Sequence, residues 1–155
     1  MNEQLSLFEM PQRRGLSYSL VLAVFPDQRT AQQISDLGNS LRKRHEIYGR
    51  IRPTSHLHVS LPFPRNPSDG PKTTVENVDR VCHAVATTTN PFEIKFDRVM
   101  SFRGGPGNHP LVLLNANHGS DGIMGLHGLL WTEFAKLGSA TFPTPKFVPH
   151  LTLLY

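Results

Sequence analysis

His56-Leu57-His58-Val59-Ser60-Leu61 and, 92 residues after His58, His150-Leu151-Thr152-Leu153 are the two stretches on which the reading of this chain turns. In each, a histidine and a hydroxyl residue stand two apart, His58 with Ser60 and His150 with Thr152, with apolar residues between and after them. Side chains two apart on a strand share a face. Each stretch therefore predicts a short β-strand that shows an imidazole and a hydroxyl on one side and turns Val or Leu into a core on the other. One His-x-Ser/Thr arises by chance in many proteins; two, each with apolar neighbours, call for a joint explanation. Two imidazoles that titrate near neutrality offer an acid and a base, and two hydroxyls offer hydrogen bonds to an anion between them. Such a set suits the cleavage of a phosphodiester.

Outward from these stretches, Tyr18–Phe25 is a β-branched and aromatic run that predicts a buried strand, stopped by Pro26-Asp27. Asp27 or Thr30 can cap the next helix, in which Ala31, Ile34, Leu37, Leu41 and Tyr48 recur on one face. Arg42-Lys43-Arg44 suit the end of that helix, and Gly49 closes it. The first signature strand covers 56–63 and stops among Pro62, Pro64 and Pro67. A second helix over 72–88 carries Val75, Val78, Cys82 and Val85; Phe92–Val99 alternates as a strand, with Phe92, Ile94 and Phe96 on one side. Leu111–Leu114 predicts an apolar strand, and Ile123, Leu126, Leu130, Phe134 and Leu137 mark a third helix over 121–137. Pro143, Pro145 and Pro149 lead into the second signature strand, 150–155. The order suggests two loosely duplicated halves, which would set the signatures opposite each other about a pseudo-twofold axis.

Composition bounds the answer. At 155 residues the expectation is one domain, 16–155, behind a polar tail, 1–15. No stretch approaches the ~20 apolar residues that span a bilayer, so no membrane association is expected. Met1-Asn2-Glu3-Gln4 lacks the charged-then-apolar layout of a secretory signal. The single cysteine, Cys82, excludes an internal disulfide framework and any CxxC metal site, which makes a reducing cytoplasm the expected compartment. Sixteen Lys and Arg against twelve Asp and Glu give a net charge of +4, a mild bias toward a polyanionic ligand.

The two His-x-Ser/Thr strands, Phe25-Pro26-Asp27 and Phe147-Val148-Pro149-His150-Leu151-Thr152-Leu153 together resemble the 2H phosphoesterase superfamily. Within it, the chain looks like the bacterial 2′-5′ RNA ligase-like, or RNA 2′,3′-cyclic phosphodiesterase, branch, over residues 17–155. The resemblance implies an α+β, bilobal, duplicated fold: antiparallel sheets, helices on the outside, and the two histidines meeting in a central cleft. The chain differs from the family pattern at Ser60, where Thr is commoner, and at its end. Members usually continue with a further strand beyond the position of Tyr155, and the ligase-like branch often has a basic residue there. The implied activity is metal-independent hydrolysis of 2′,3′-cyclic phosphate, or related 2′-5′ linkages, on RNA ends or nucleotides, with no cofactor. His58 and His150 would serve as acid and base in an order the sequence leaves open, and Ser60 and Thr152 would hold the non-bridging oxygens. The alternatives are 2′-5′ RNA ligation (the same chemistry reversed), capture of RNA ends without turnover, and a clamp-associated adaptor.

The flanking residues supply further candidates. His56 should share the cleft side of its strand and serve as a rim residue or substrate contact. A His-x-His pair is a familiar metal arrangement, but no third ligand stands in register near the second signature, so no metal site is expected. Phe25, Phe63 and Tyr155, at strand ends, are candidates to stack a base. Arg52 and Arg103 are candidates to attract flanking phosphates. Arg42-Lys43-Arg44 reads as a helix-end charge run, with nucleic-acid contact as the second reading. Arg103-Gly104-Gly105-Pro106-Gly107 lacks the Lys-Ser/Thr of a P-loop and reads as a loop beside the cleft. In the tail, Gln4-Leu5-Ser6-Leu7-Phe8 resembles the peptide by which bacterial replication and repair proteins bind the sliding clamp, Leu7 and Phe8 filling a pocket while Gln4 makes a polar contact.

Overall fold

A computed structural model of the chain describes residues 20–64, 69–102, 109–115, 120–138 and 146–155. The elements run β1 (Leu22–Val24), α1 (Gln28–Arg44), a 3-10 turn (Thr54–His56), β2 (Val59–Leu61), α2 (Pro71–Ala86), β3 (Arg98–Ser101), β4 (Leu111–Leu114), α3 (Asp121–Lys136) and β5 (His150–Leu154). The strands form an antiparallel sheet in the order β1-β2-β5-β4-β3. The α+β class expected of the sequence is the one adopted. Two lobes are legible in the register. Leu22↔Leu61, Ala23↔Ser60 and Val24↔Val59 zip β1 to β2, and β3, β4 and β5 form a second ladder. Strand β2 meets β5 through the pair Val59↔Leu151, which joins the two ladders into one continuous sheet, and Ile51 adds an isolated antiparallel bridge to Leu154.

One face of the sheet carries the core. Leu57, Val59, Leu61, Leu113, Leu151 and Leu153 pack against Ala31, Val81, Val85, Ile123, Leu130 and Phe134 of the three helices. The α1 helix starts where Asp27 accepts hydrogen bonds from the Thr30 amide (2.9 Å) and the Thr30 hydroxyl (2.7 Å). Those bonds hold the Asp27 carboxyl below its ordinary value. The helix then presses on β5 through Gly38, where a Cβ would stand 3.3 Å from Ile51 Cδ1 and 3.9 Å from Leu153. Among the described residues no helix is long and apolar enough to cross a membrane.

Several boundaries differ from the sequence reading. The α1 helix ends at Arg44, and Tyr48, expected on its apolar stripe, is 99% exposed in the turn beyond it. Val75 of α2 is also exposed, and Val81 takes its place in the core. The alternation holds over 93–97, with Ile94 and Phe96 packed against the core and Glu93, Lys95 and Asp97 exposed, while Phe92 is exposed as well. It is not part of a strand: before β3, only the Asp97 amide is tied to β4, at the Leu114 carbonyl (3.1 Å). The first signature strand is shorter than expected, because His56 closes the 3-10 turn and pairing begins at Val59. Residues 1–15, with the clamp-like Gln4–Phe8, lie outside the described residues, as do Pro67, Pro143 and Pro145.

A histidine that the sequence reading passed over ties the lobes together from behind. His127 of α3 is 2% exposed. Its Nε2–H donates to the Pro62 carbonyl just after β2 (3.1 Å), and its ring lies 4.5 Å from that of Phe147, just before β5. Burial holds its pKa below the ordinary histidine value, against the opposing pull of the Pro62 carbonyl. The unfolded chain therefore takes up this proton first as pH falls below about 6.5, so stability should decline from there down to the folded-state value. Replacing His127 with Phe keeps a ring but leaves the carbonyl unpaired. At about pH 8 the variant should be less stable by roughly 1–3 kcal/mol. Thermal melts should show this deficit shrinking toward about pH 5; a deficit constant with pH would refute the buried neutral histidine.

Candidate active site

The two signatures meet at the seam between the lobes. Val59 and Leu61 of β2, and Leu151 and Leu153 of β5, are buried, whereas Ser60 is exposed and His58, His150 and Thr152 are half-buried. Extending the antiparallel register one residue either way from Val59↔Leu151 sets His58 opposite Thr152 and Ser60 opposite His150. Directly opposed residues on adjacent strands stand about 4.5–5.5 Å apart and share a face. The four candidate residues thus form one cluster on the face away from the helices, each histidine beside the hydroxyl of the other lobe. From β4, Val112 and Leu114 pair with Thr152 and His150 and are buried, giving the cluster an apolar flank.

Each histidine is held in the same way. His58 Nδ1 lies 2.8 Å from the His56 carbonyl, and His150 Nδ1 lies 2.8 Å from the Val148 carbonyl. A carbonyl only accepts, so in both rings Nδ1 carries the hydrogen and the neutral ring leaves the Nε2 lone pair free. Each ring also has an aromatic neighbour: Phe25, at the end of β1, for His58 (centroids 5.8 Å apart) and Phe102, at the end of β3, for His150 (4.9 Å). Among the described residues neither Nε2 atom, nor the hydroxyl of Ser60 or Thr152, has a protein hydrogen-bond partner. Among the described residues, two imidazole nitrogens and two hydroxyls are thus unengaged on one face.

At the far end of β5, the pairs Val112↔Thr152 and Leu111↔Leu154 leave Leu153 as an extra residue, a β-bulge. Leu153 and Leu154 are both buried, so the alternation restarts one residue late and returns Tyr155 to the side of Thr152. The Arg52 guanidinium lies 5.1 Å from the centroid of the Tyr155 ring, a cation–π contact. The sequence candidates Arg52 and Tyr155 are thus brought together at this rim.

Other candidates are placed differently. His56 contributes its carbonyl to His58, while its ring, on the exposed 3-10 turn, is not on the strand. Phe63 does not flank the cluster: its ring stacks on Phe134 of α3 (5.6 Å, 22°), on the helix side. Arg103 lies outside the described residues. Phe102, which the sequence reading missed, is the counterpart of Phe25 in the second half; the suspected duplication was the signal that could have found it. Among the described residues, no three His, Cys, Asp or Glu side chains gather into a cluster able to hold a metal ion.

The family model of the 2′-5′ RNA ligase superfamily matches residues 26–155. A protein of Bacillus cereus described as a putative phosphoesterase is 28% identical over 144 residues, which are 86% of this chain and 67% of that protein. The crystal structure of E. coli LigT complexed with 3′-AMP has a similar fold, with a TM-score of 0.56 at 21% identity, covering 86% of this chain and 70% of LigT.

The paired carbonyl bonds predict a shared tautomer. In long-range nitrogen–proton NMR spectra, the neutral forms of both His58 and His150 should be the tautomer protonated at Nδ1. An Nε2–H pattern for either would contradict the geometry.

Proposed function

The chain belongs to the 2′-5′ RNA ligase superfamily, the 2H phosphoesterases, and we propose that it hydrolyses 2′,3′-cyclic phosphates on RNA ends or nucleotides by two-histidine acid–base catalysis without a metal. The observation that carries this reading is the matched pair of Nδ1–carbonyl bonds, each 2.8 Å, behind histidines on adjoining strands. They fix each ring through Nδ1 and leave Nε2 as the reactive nitrogen of both, which supports the reading because in-line displacement at phosphorus needs one proton carrier on each side.

In the proposed reaction, the neutral histidine takes a proton from water through Nε2 as the water oxygen bonds to phosphorus. The bond from phosphorus to one ribose oxygen breaks, and the other histidine, protonated at both nitrogens, gives its Nε2 proton to that oxygen. The phosphate becomes a monoester, and the two rings end with their protonation states exchanged. Ser60 and Thr152 donate hydrogen bonds to the non-bridging oxygens, where charge builds as water adds. Each backbone carbonyl keeps its ring oriented through both states, because Nδ1 holds its hydrogen throughout. The compound bound by E. coli LigT, 3′-AMP, is what opening the 2′ ester of adenosine 2′,3′-cyclic phosphate yields, which supports a nucleotide end as the ligand. The lone cysteine, Cys82, favours a reducing cytoplasm as the site of action. Attack on the same phosphorus by an RNA 5′-hydroxyl in place of water is the ligation direction of this chemistry.

Replacing His58 or His150 with Ala should each lower turnover of a 2′,3′-cyclic nucleotide by about 10²–10⁴-fold, and Ser60→Ala or Thr152→Ala by about 10–10³-fold. Activity should persist in excess chelator and follow a bell-shaped pH profile, because one ring must be neutral and the other charged. Near-wild-type turnover in either histidine variant would overturn the proposal.

A further inference from the structure

The rim at Tyr155 continues into a cationic, aromatic surface that the proposed chemistry does not use. Beyond α1 the chain turns through 45–49 and pairs backward along the end of β5. The Arg50 amide donates to the Tyr155 carbonyl (2.8 Å), the Tyr155 amide to the Arg50 carbonyl (3.2 Å), and the Arg52 amide to the Leu153 carbonyl (2.9 Å). The turn is closely specified. Glu46 adopts a positive φ of 51°, the Ile47 amide bonds the Arg42 carbonyl at 3.0 Å, and Gly49 sits where a Cβ would meet both Leu154 Cδ1 and the Tyr155 carbonyl at 2.7 Å.

Within that framework the side chains are out of proportion to any structural need. Arg42, Lys43, Arg44, Arg50 and Arg52 are accompanied, over the described residues 37–64, by one carboxylate, Glu46. None of the five has an ion-pair partner among the described residues. Tyr48 stands among them at 99% exposure, above an open depression of about 480 Å³ lined by Arg42, Lys43, Glu46, Ile47, Tyr48 and Gly49. A fully exposed ring on a fixed turn packs nothing, and adjacent unpaired cations repel one another. Both features suit a ligand carrying alternating phosphates and flat bases. Tyr155, three residues along β5 from Thr152, places the start of this surface on the order of 10 Å from the candidate site.

We propose that Tyr48, Arg42, Lys43 and Arg50 form a docking track for the single strand flanking the reacting phosphate, so that the preferred substrate is an RNA chain and not a mononucleotide. The track rests on the phosphoesterase reading for its direction: a strand whose end lies at His58 and His150 leaves over Tyr155 and Arg52 and crosses the turn, stacking a base on Tyr48. Single strands fit better than duplex, because an isolated exposed ring needs an unstacked base to meet.

The test separates binding from turnover. Fluorescence anisotropy would follow a labelled RNA of about ten nucleotides ending in a 3′-phosphate, within the site sizes of single-strand binders. It would compare wild type with Tyr48→Ala, Tyr48→Phe and the combined Arg42→Gln/Lys43→Gln/Arg50→Gln variant. Thermal melts would verify that each variant is folded. The triple variant should bind at least about tenfold more weakly, and its salt dependence should fall by about 2 in logarithmic slope, at roughly 0.7 for each phosphate no longer neutralised. Tyr48→Ala should weaken binding and Tyr48→Phe should restore it. Turnover of a 2′,3′-cyclic mononucleotide should be the same in all four proteins. Equal RNA affinity in wild type and the triple variant, or no RNA binding at all, overturns the track. Competition by an acidic peptide as strong as by RNA overturns it in favour of a protein partner. Failure of wild type to open any cyclic phosphate overturns the chemistry instead, and leaves the binding comparison to decide the track.

Discussion

The pairing of Val59 with Leu151 is the contact on which the rest depends. Both side chains are nearly inaccessible and belong to the core that the helices cover. Because strand side chains alternate, burying these two commits His58, Ser60, His150 and Thr152 to the opposite face. A slip of one residue in this register would bury polar groups and expose leucines, so the hydrophobic core enforces the alignment of the site. Other contacts share the task of joining the lobes. Gly38 lets α1 approach β5, the 50–52 segment is zipped to its far end, and His127 bonds the exit of β2 while packing on the approach to β5.

The symmetry of the site lies in its surroundings more than in its sequence. His58 finds its carbonyl in a 3-10 turn and His150 in an irregular approach through Val148 and Pro149, yet both Nδ1–oxygen distances are 2.8 Å. Phe25 and Phe102 close against the two rings from the ends of β1 and β3. Two unlike local paths that converge on one geometry fit a site in which the histidines exchange roles. The buried Val112 and Leu114 beside Thr152 and His150 reduce competition from water for the hydroxyl and imidazole.

Much of this is legible in the chain. The spacing of histidine and hydroxyl reveals their common face, the apolar runs mark β4 and the stripe of α3, and Asp27 with Thr30 marks the start of α1. Tyr48 is misplaced by periodicity because a helical period does not reveal where a helix stops; α1 ends at Arg44 and the turn at Glu46 follows from backbone conformation. Residues 93–97 alternate because Ile94 and Phe96 pack against the core, but a strand also needs a partner, and pairing is a long-range property. Proximity in sequence to His58 points Phe63 and His56 to the cleft side of the strand, but neither residue lies on β2 itself. Phe63 lies beyond the end of β2 and turns to Phe134; His56 precedes the strand and offers its backbone.

By itself, the sequence determined which residues are the candidates for the chemistry and that each histidine travels with a hydroxyl, since both depend only on residue type and a two-residue period. It also determined the helical and strand faces that must be buried. Only the tertiary structure decided that Val59 pairs with Leu151, a register that extends to set His58 across from Thr152 and Ser60 across from His150, that both Nδ1 atoms meet backbone carbonyls, and that Arg52 meets Tyr155. Those relations come from strand register, from carbonyls whose direction is set by loop conformation, and from a bulge at Leu153. Each joins segments distant in the chain, and local periodicity holds no information about which distant segments will pair.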